Sequence, residues 1–151
     1  MEAPDYPNVI IGSGYAIGDL AALGEGPGFR KVRRGLGVTA FGVNAVVMPA
    51  GYESGFHAHE HQQELYFLHS GTLEMEFGDG SVQLLGPGSF ARVDAPTMRK
   101  LRNVGDEEAV YLCVGGKDGY VGRDGRVPEG EEQRVRALHG APEAPGAEAS
   151  A

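Results

Sequence analysis

The stretch Gly51-Tyr-Glu-Ser-Gly-Phe-His57-Ala-His59-Glu-His61-Gln-Gln-Glu64-Leu-Tyr66-Phe-Leu-His69-Ser-Gly71 decides how this chain is read. Four of the five histidines fall inside it. On a β-strand, residues two apart point the same way, so His57 and His59 project from one face. A reversal through 60–63 then brings Glu64 back alongside them on the next strand. Two imidazoles and one carboxylate at a single point form a 2-His-1-carboxylate set. That set suits Fe, Mn, Ni, Co or Zn and leaves positions open for water or substrate. Polar side chains turned into an apolar interior need such a use, because burying them unpaired is unfavourable.

Outside this stretch the texture is β-rich from Leu36 onward. Strands are predicted at 38–48, 64–69, 72–77, 81–85, 89–93, 99–102 and 109–114. Leu73, Met75 and Phe77 alternate with Thr72, Glu74 and Glu76, which assigns the first set to a core face and the second to solvent. The connections are turn-like: Ser70-Gly71, Gly78-Asp79-Gly80, Gly86-Pro87-Gly88 and Val104-Gly105-Asp106. Many short strands with close turns predict an antiparallel sandwich or barrel. Before it, Val9-Ile10-Ile11 reads as a short strand, and Asp19 as the cap of a helical turn closed by Gly24. Arg30, Lys31, Arg33 and Arg34 read as a solvated basic edge. After about Tyr120 the pattern dissolves. A helical turn at 133–138 is followed by a flexible tail.

The bulk numbers bound the function. A length of 151 residues suits one domain. A formal net charge of −8 disfavours nonspecific binding to nucleic acid or an anionic membrane. The lone Cys113 cannot form an internal disulfide and reads as a buried, inert thiol. No apolar run approaches the ~20 residues of a membrane span. The first residues lack a basic-then-apolar leader pattern, so a cytoplasmic location is expected. Gly12-Ser-Gly14-Tyr-Ala-Ile-Gly18 has the wrong spacing, and no βαβ context, for a dinucleotide loop.

The spacing Gly51, five residues, His57, one, His59, four, Glu64, six, Gly71 resembles the first motif of the cupin superfamily at all five fixed places. The run from Leu85 to Asn103 resembles the second motif. Pro87-Gly88 matches its turn and Asn103 its closing asparagine. Where that motif carries a fourth ligand, a histidine four residues before the asparagine, this chain has Arg99. Arginine stays protonated and only donates, so it cannot ligate a metal. If it points inward, it repels the cation, holds an anionic substrate or pairs with Glu64.

The resemblance implies an all-β cupin double-stranded β-helix, a jelly-roll barrel, over 36–118. A short N-terminal arm spans 1–35, and a partly disordered C-terminal extension spans 119–151. It further implies one divalent metal ion held by His57, His59 and Glu64, with His61 as an extra ligand or an exposed loop residue. Substrate contacts are expected from Arg99, Tyr66 and Met98, and Leu68, Phe41 and Val43 are expected to line the cavity. The implied activity is binding or conversion of a small polar or anionic molecule, as in dioxygenases, isomerases or decarboxylases. The alternative is a non-catalytic ligand-binding or sensor module, metal-free in its extreme form. A small-molecule ligand and a homodimer, pairing through an edge strand or the arm, are the expected partners.

Overall fold

The computed structural model describes residues 5–128. The helical turn and tail expected after residue 128, and His139 with them, lie outside the described residues. The chain opens with a hairpin of β1 (Ile10–Gly12) and β2 (Tyr15–Ile17). A 3-10 turn at Ala21–Leu23 follows, where Asp19 Oδ1 accepts the Ala22 amide at 2.9 Å. Then come β3 (Gly28–Arg30), α1 (Val32–Leu36) and β4 (Gly42–Met48). The predicted strand at 38–48 therefore starts late, because Gly37 ends α1 in the left-handed region at φ 72°.

The remaining strands are β5 (Ala58–His59), β6 (Gln63–Ser70), β7 (Leu73–Phe77), β8 (Val82–Leu85), β9 (Phe90–Val93), β10 (Arg99–Asn103), β11 (Ala109–Gly116) and β12 (Gly125–Arg126). A five-stranded sheet runs β3-β4-β11-β6-β9, and a three-stranded sheet runs β10-β7-β8. The segment 51–57 extends the smaller sheet. Its bridges to β10 pair Glu53 with Arg102 and His57 with Arg99.

The core lies between the two sheets. Val46, Met48, Tyr66, Leu68, Val93, Tyr111 and Cys113 come from the larger sheet, and Leu73, Met75 and Leu101 from the smaller. Leu73 and Met75 face inward as the alternation predicts, while Glu74 and Glu76 pair outside with Arg102 and Lys100. At Gly71, φ is 89°, and a Cβ would stand 2.6 Å from the Ala109 Cβ. Only glycine turns the chain from β6 to β7 there. Asn103 staples another corner. Its amide donates to the Met48 and Glu107 carbonyls at 2.8 Å each, and its oxygen accepts the Gly105 amide.

Three expectations are corrected. Val43 does not line the interior: it pairs with Val114, whereas Asn44 pairs with the inward Cys113, so β4 has the opposite parity. Phe41 is exposed. The basic edge is not uniformly solvated, because Arg30 is buried and donates to the Gly26 carbonyl at 2.9 Å. Within the C-terminal extension, residues 119–128 return to the barrel, and β12 pairs with β5. Among the described residues no helix is long and apolar enough to cross a membrane.

Candidate metal centre

The ligand atoms of His57, His59 and Glu64 lie within 4.8 Å of one another, and all three residues are buried. Three different elements deliver them. His57 exchanges both backbone hydrogen bonds with Arg99 at 2.9 Å, so its side chain rises beside Arg99 from the smaller sheet. His59 sits on β5, and its amide donates to the Ala95 carbonyl at 2.8 Å. Glu64 begins the inward row of β6 on the larger sheet, followed by Tyr66 and Leu68. The reversal at 60–63 does return Glu64 to the histidines. It does not form a hairpin, since β5 pairs with β12 and β6 with β11 and β9. The convergence is across the two sheets.

Arg99 is fully buried and points inward, where it pairs with Glu64. Its Nη2 donates to Glu64 Oε1 at 2.7 Å, its Nε to the Tyr66 hydroxyl at 3.3 Å, and its Nη1 to the Thr97 carbonyl at 2.7 Å. The Tyr66 hydroxyl donates to the same Oε1 at 2.6 Å. Arg99 and Tyr66 thus hold one carboxylate oxygen and leave Oε2 facing His59. Met98 is half-buried against Gly78, on the strand approach to Arg99. Cys113 is buried beside Tyr66 in the β11–β6 register, and burial pushes its thiol well up from the usual range. His61 and His69 are exposed, and neither joins the cluster.

The charge states suit a cation. Burial first, and the Arg99 charge second, lower the His57 pKa to about 3, so the ring is neutral at ordinary pH. Burial works against the Glu64 carboxylate, but His59, Arg99 and His57 more than offset it and lower the pKa to about 2. Neutral imidazole and ionised carboxylate are the forms that bind metal. His59 Nε2 and Glu64 Oε2 face each other at 3.1 Å in a fully buried contact. Donors bonded to one ion at about 2.1 Å stand about 3–4 Å apart, so small side-chain rotations close this triad on an ion. The residues present therefore fit a divalent metal, in a three-ligand centre rather than the four-ligand one of the usual motif.

Two contributors lie beyond sequence reasoning. Gln62 Nε2 sits 3.0 Å from His59 Nδ1 and 3.3 Å from Glu64 Oε2. Asp124 Oδ2 approaches His59 Nδ1 at 3.6 Å from the returning chain. Neither belongs to a spacing that the strand pattern marks.

The family profile described as a cupin domain matches residues 44–115. A cupin protein from Bacteroides fragilis superposes with a TM-score of 0.60 at 22% identity, over 71% of this chain and 87% of that one. An uncharacterised double-stranded β-helix protein from Klebsiella pneumoniae gives 0.50 at 25% identity, over 52% of this chain and 69% of that one. A DMSP lyase from Ruegeria pomeroyi gives 0.53 at 26% identity, over 61% of this chain and less than half of its own, 46%. Among curated proteins none matches. With the barrel, the first motif and the profile in agreement, residues 44–115 are a domain of the cupin superfamily.

Proposed function

We propose that this cupin is a mononuclear metalloprotein that binds and converts a small polar or anionic molecule. His57, His59 and Glu64 Oε2 are its protein ligands. The observation that carries this reading is the convergence of the buried His57, His59 and Glu64 ligand atoms within 4.8 Å of one another, with His59 Nε2 3.1 Å from Glu64 Oε2. Three ligands on one side of an ion leave adjacent positions for substrate, and the ion supplies Lewis acidity there. Arg99 acts through Glu64. It fixes the carboxylate's rotamer through the 2.7 Å contact. The fold's resemblance to a DMSP lyase supports small-molecule chemistry. It does not choose the reaction, since one fold hosts many activities.

A second reading has its own observation. The Arg99–Glu64 pair is completely buried and already neutralises the site, which favours a metal-free ligand-binding barrel. Metal analysis separates the two. After growth with Fe, Mn, Ni, Co and Zn supplied, the purified protein is expected to carry about one equivalent, and His59→Ala to lose it. Less than about a tenth of an equivalent in the unsubstituted protein refutes the metal reading. Copies of the chain are further proposed to pair through the β1–β2 arm, where Ile10, Tyr15 and Ile17 are exposed. A monomeric mass by light scattering refutes that pairing.

A further inference from the structure

The segment after β11 leaves the matched cupin region and returns as a strap. Tyr120 lies under the Arg33 guanidinium, 4.0 Å from ring centroid to Cζ. β12 then runs antiparallel to β5, with Gly125 opposite His59 and Arg126 opposite Ala58. Arg126 also pairs with Glu60. Between these anchors Asp124 is buried. Its carboxylate accepts the His61 amide at 3.0 Å and the Gln62 amide at 2.8 Å, and its carbonyl accepts the Glu60 amide at 3.1 Å. The turn that separates His59 from Glu64 is therefore wrapped around one aspartate.

The ring of His59 needs more than a turn. For Nε2 to offer a lone pair to a metal, the neutral ring must carry its proton on Nδ1. That proton needs an acceptor. As oriented, the Gln62 amide nitrogen donates to an unprotonated Nδ1, and its own Oε1 is buried without a partner, so placing the proton on Nδ1 requires this amide nitrogen to turn away from the ring. Reversing the amide sets its oxygen against Glu64 Oε2, which now receives the nitrogen at 3.3 Å. Asp124 Oδ2 is the charged acceptor at hand, 3.6 Å from Nδ1. A closure of about half an ångström makes that approach a hydrogen bond. Carboxylate–histidine–metal relays of this kind orient ligands and raise their basicity.

We propose that Asp124, carried by a strap outside the matched cupin region, is the positioning residue that holds His59 with its proton on Nδ1 and its Nε2 turned to the metal. This rests on the metal reading above. The metal site is then built by two parts of the chain, the barrel and the strap.

The test compares Zn(II) affinity, by competition with a chromophoric chelator, for the full-length chain and three variants. Asp124→Asn keeps an oxygen for the backbone amides but removes the charge, and is expected to weaken binding about 10–100-fold. Glu74→Gln breaks the exposed Arg102 pair away from the strap and is expected to leave affinity unchanged. Gln62→Leu is expected to weaken binding less than Asp124→Asn. Asp124→Asn binding within about threefold of the unsubstituted protein overturns the proposal, as does an equal loss in Glu74→Gln or a larger one in Gln62→Leu. Should Asp124→Asn not fold, long-range 1H–15N correlation spectra of the Zn-loaded, unsubstituted protein decide. A His59 protonated at Nδ1 is expected, and one protonated at Nε2 overturns the proposal. If the unsubstituted protein holds no Zn, it is the metal reading that fails. Zn bound with Asp124→Asn unaffected fails the strap alone.

Discussion

Arg99→Met removes the charge that faces Glu64 while keeping most of the side-chain volume. The two charged groups meet at 2.7 Å with neither side chain exposed to solvent. Charge centres about 4 Å apart interact by about 4 kcal/mol at an effective dielectric of 20. Breaking a buried pair by deleting one partner destabilises proteins by about 3–5 kcal/mol, which agrees. In metal-free protein at pH 7, urea denaturation is therefore expected to lose about 3–5 kcal/mol. The loss has a pH signature. Without Arg99, the folded-state pKa of Glu64 moves up from about 2, because one of the charges that lowers it is gone. The variant therefore loses less stability from Glu64 than the unsubstituted protein does as pH falls below about 4.5. His57, freed of its cationic neighbour, protonates more easily, so its loss on acidification is also smaller. The gap between the two proteins is thus widest at pH 7 and narrows toward pH 4.5. A loss below about 1 kcal/mol, or one equal at both pH values, refutes the argument that charge pairing holds this site together.

Three further outcomes follow from the same geometry. The metal-free, unsubstituted protein loses stability on acidification: unfolded His57 takes up its proton near 6.5 and the folded residue only at about 3, so the unfolded state binds more protons between them. Glu64 adds to the loss from about 4.5 down to about 2, and urea midpoints that stay flat from pH 7 to 4 contradict this. Gly71→Ala, which needs φ of 89° and meets Ala109 at 2.6 Å, is expected to destabilise by several kcal/mol, and an unchanged melting temperature contradicts it. Zn(II) at a hundredfold excess over Kd is expected to stabilise the protein by about 2.7 kcal/mol, reversed by EDTA, and no thermal shift argues against a specific site.

The barrel strands are legible because inward and outward residues alternate with glycine at nearly every corner. The triad is legible because strand parity and one reversal need only local information. What the sequence conceals has physical causes. The five-residue α1 is too short to show a helical period. The parity of β4 is hidden because Gly42–Met48 is buried on both faces, so alternation vanishes. Asp124 lies 63 residues from His61, in a run of glycine and charge that carries no strand signal, and only the returning chain brings it to the turn. Arg99 is visible as a departure from the motif, but its choice of Glu64 is a contact between sheets.

His57 stands on the smaller sheet and Glu64 on the larger, and the apolar core packs between those two sheets. The spacing of the two donors therefore depends on how the sheets pack. On the proposed metal reading, a change of side-chain volume at Leu101, Met75 or Met48 would alter the opening between them, so apolar residues outside the ligand set would bear on the size of ion the site accepts.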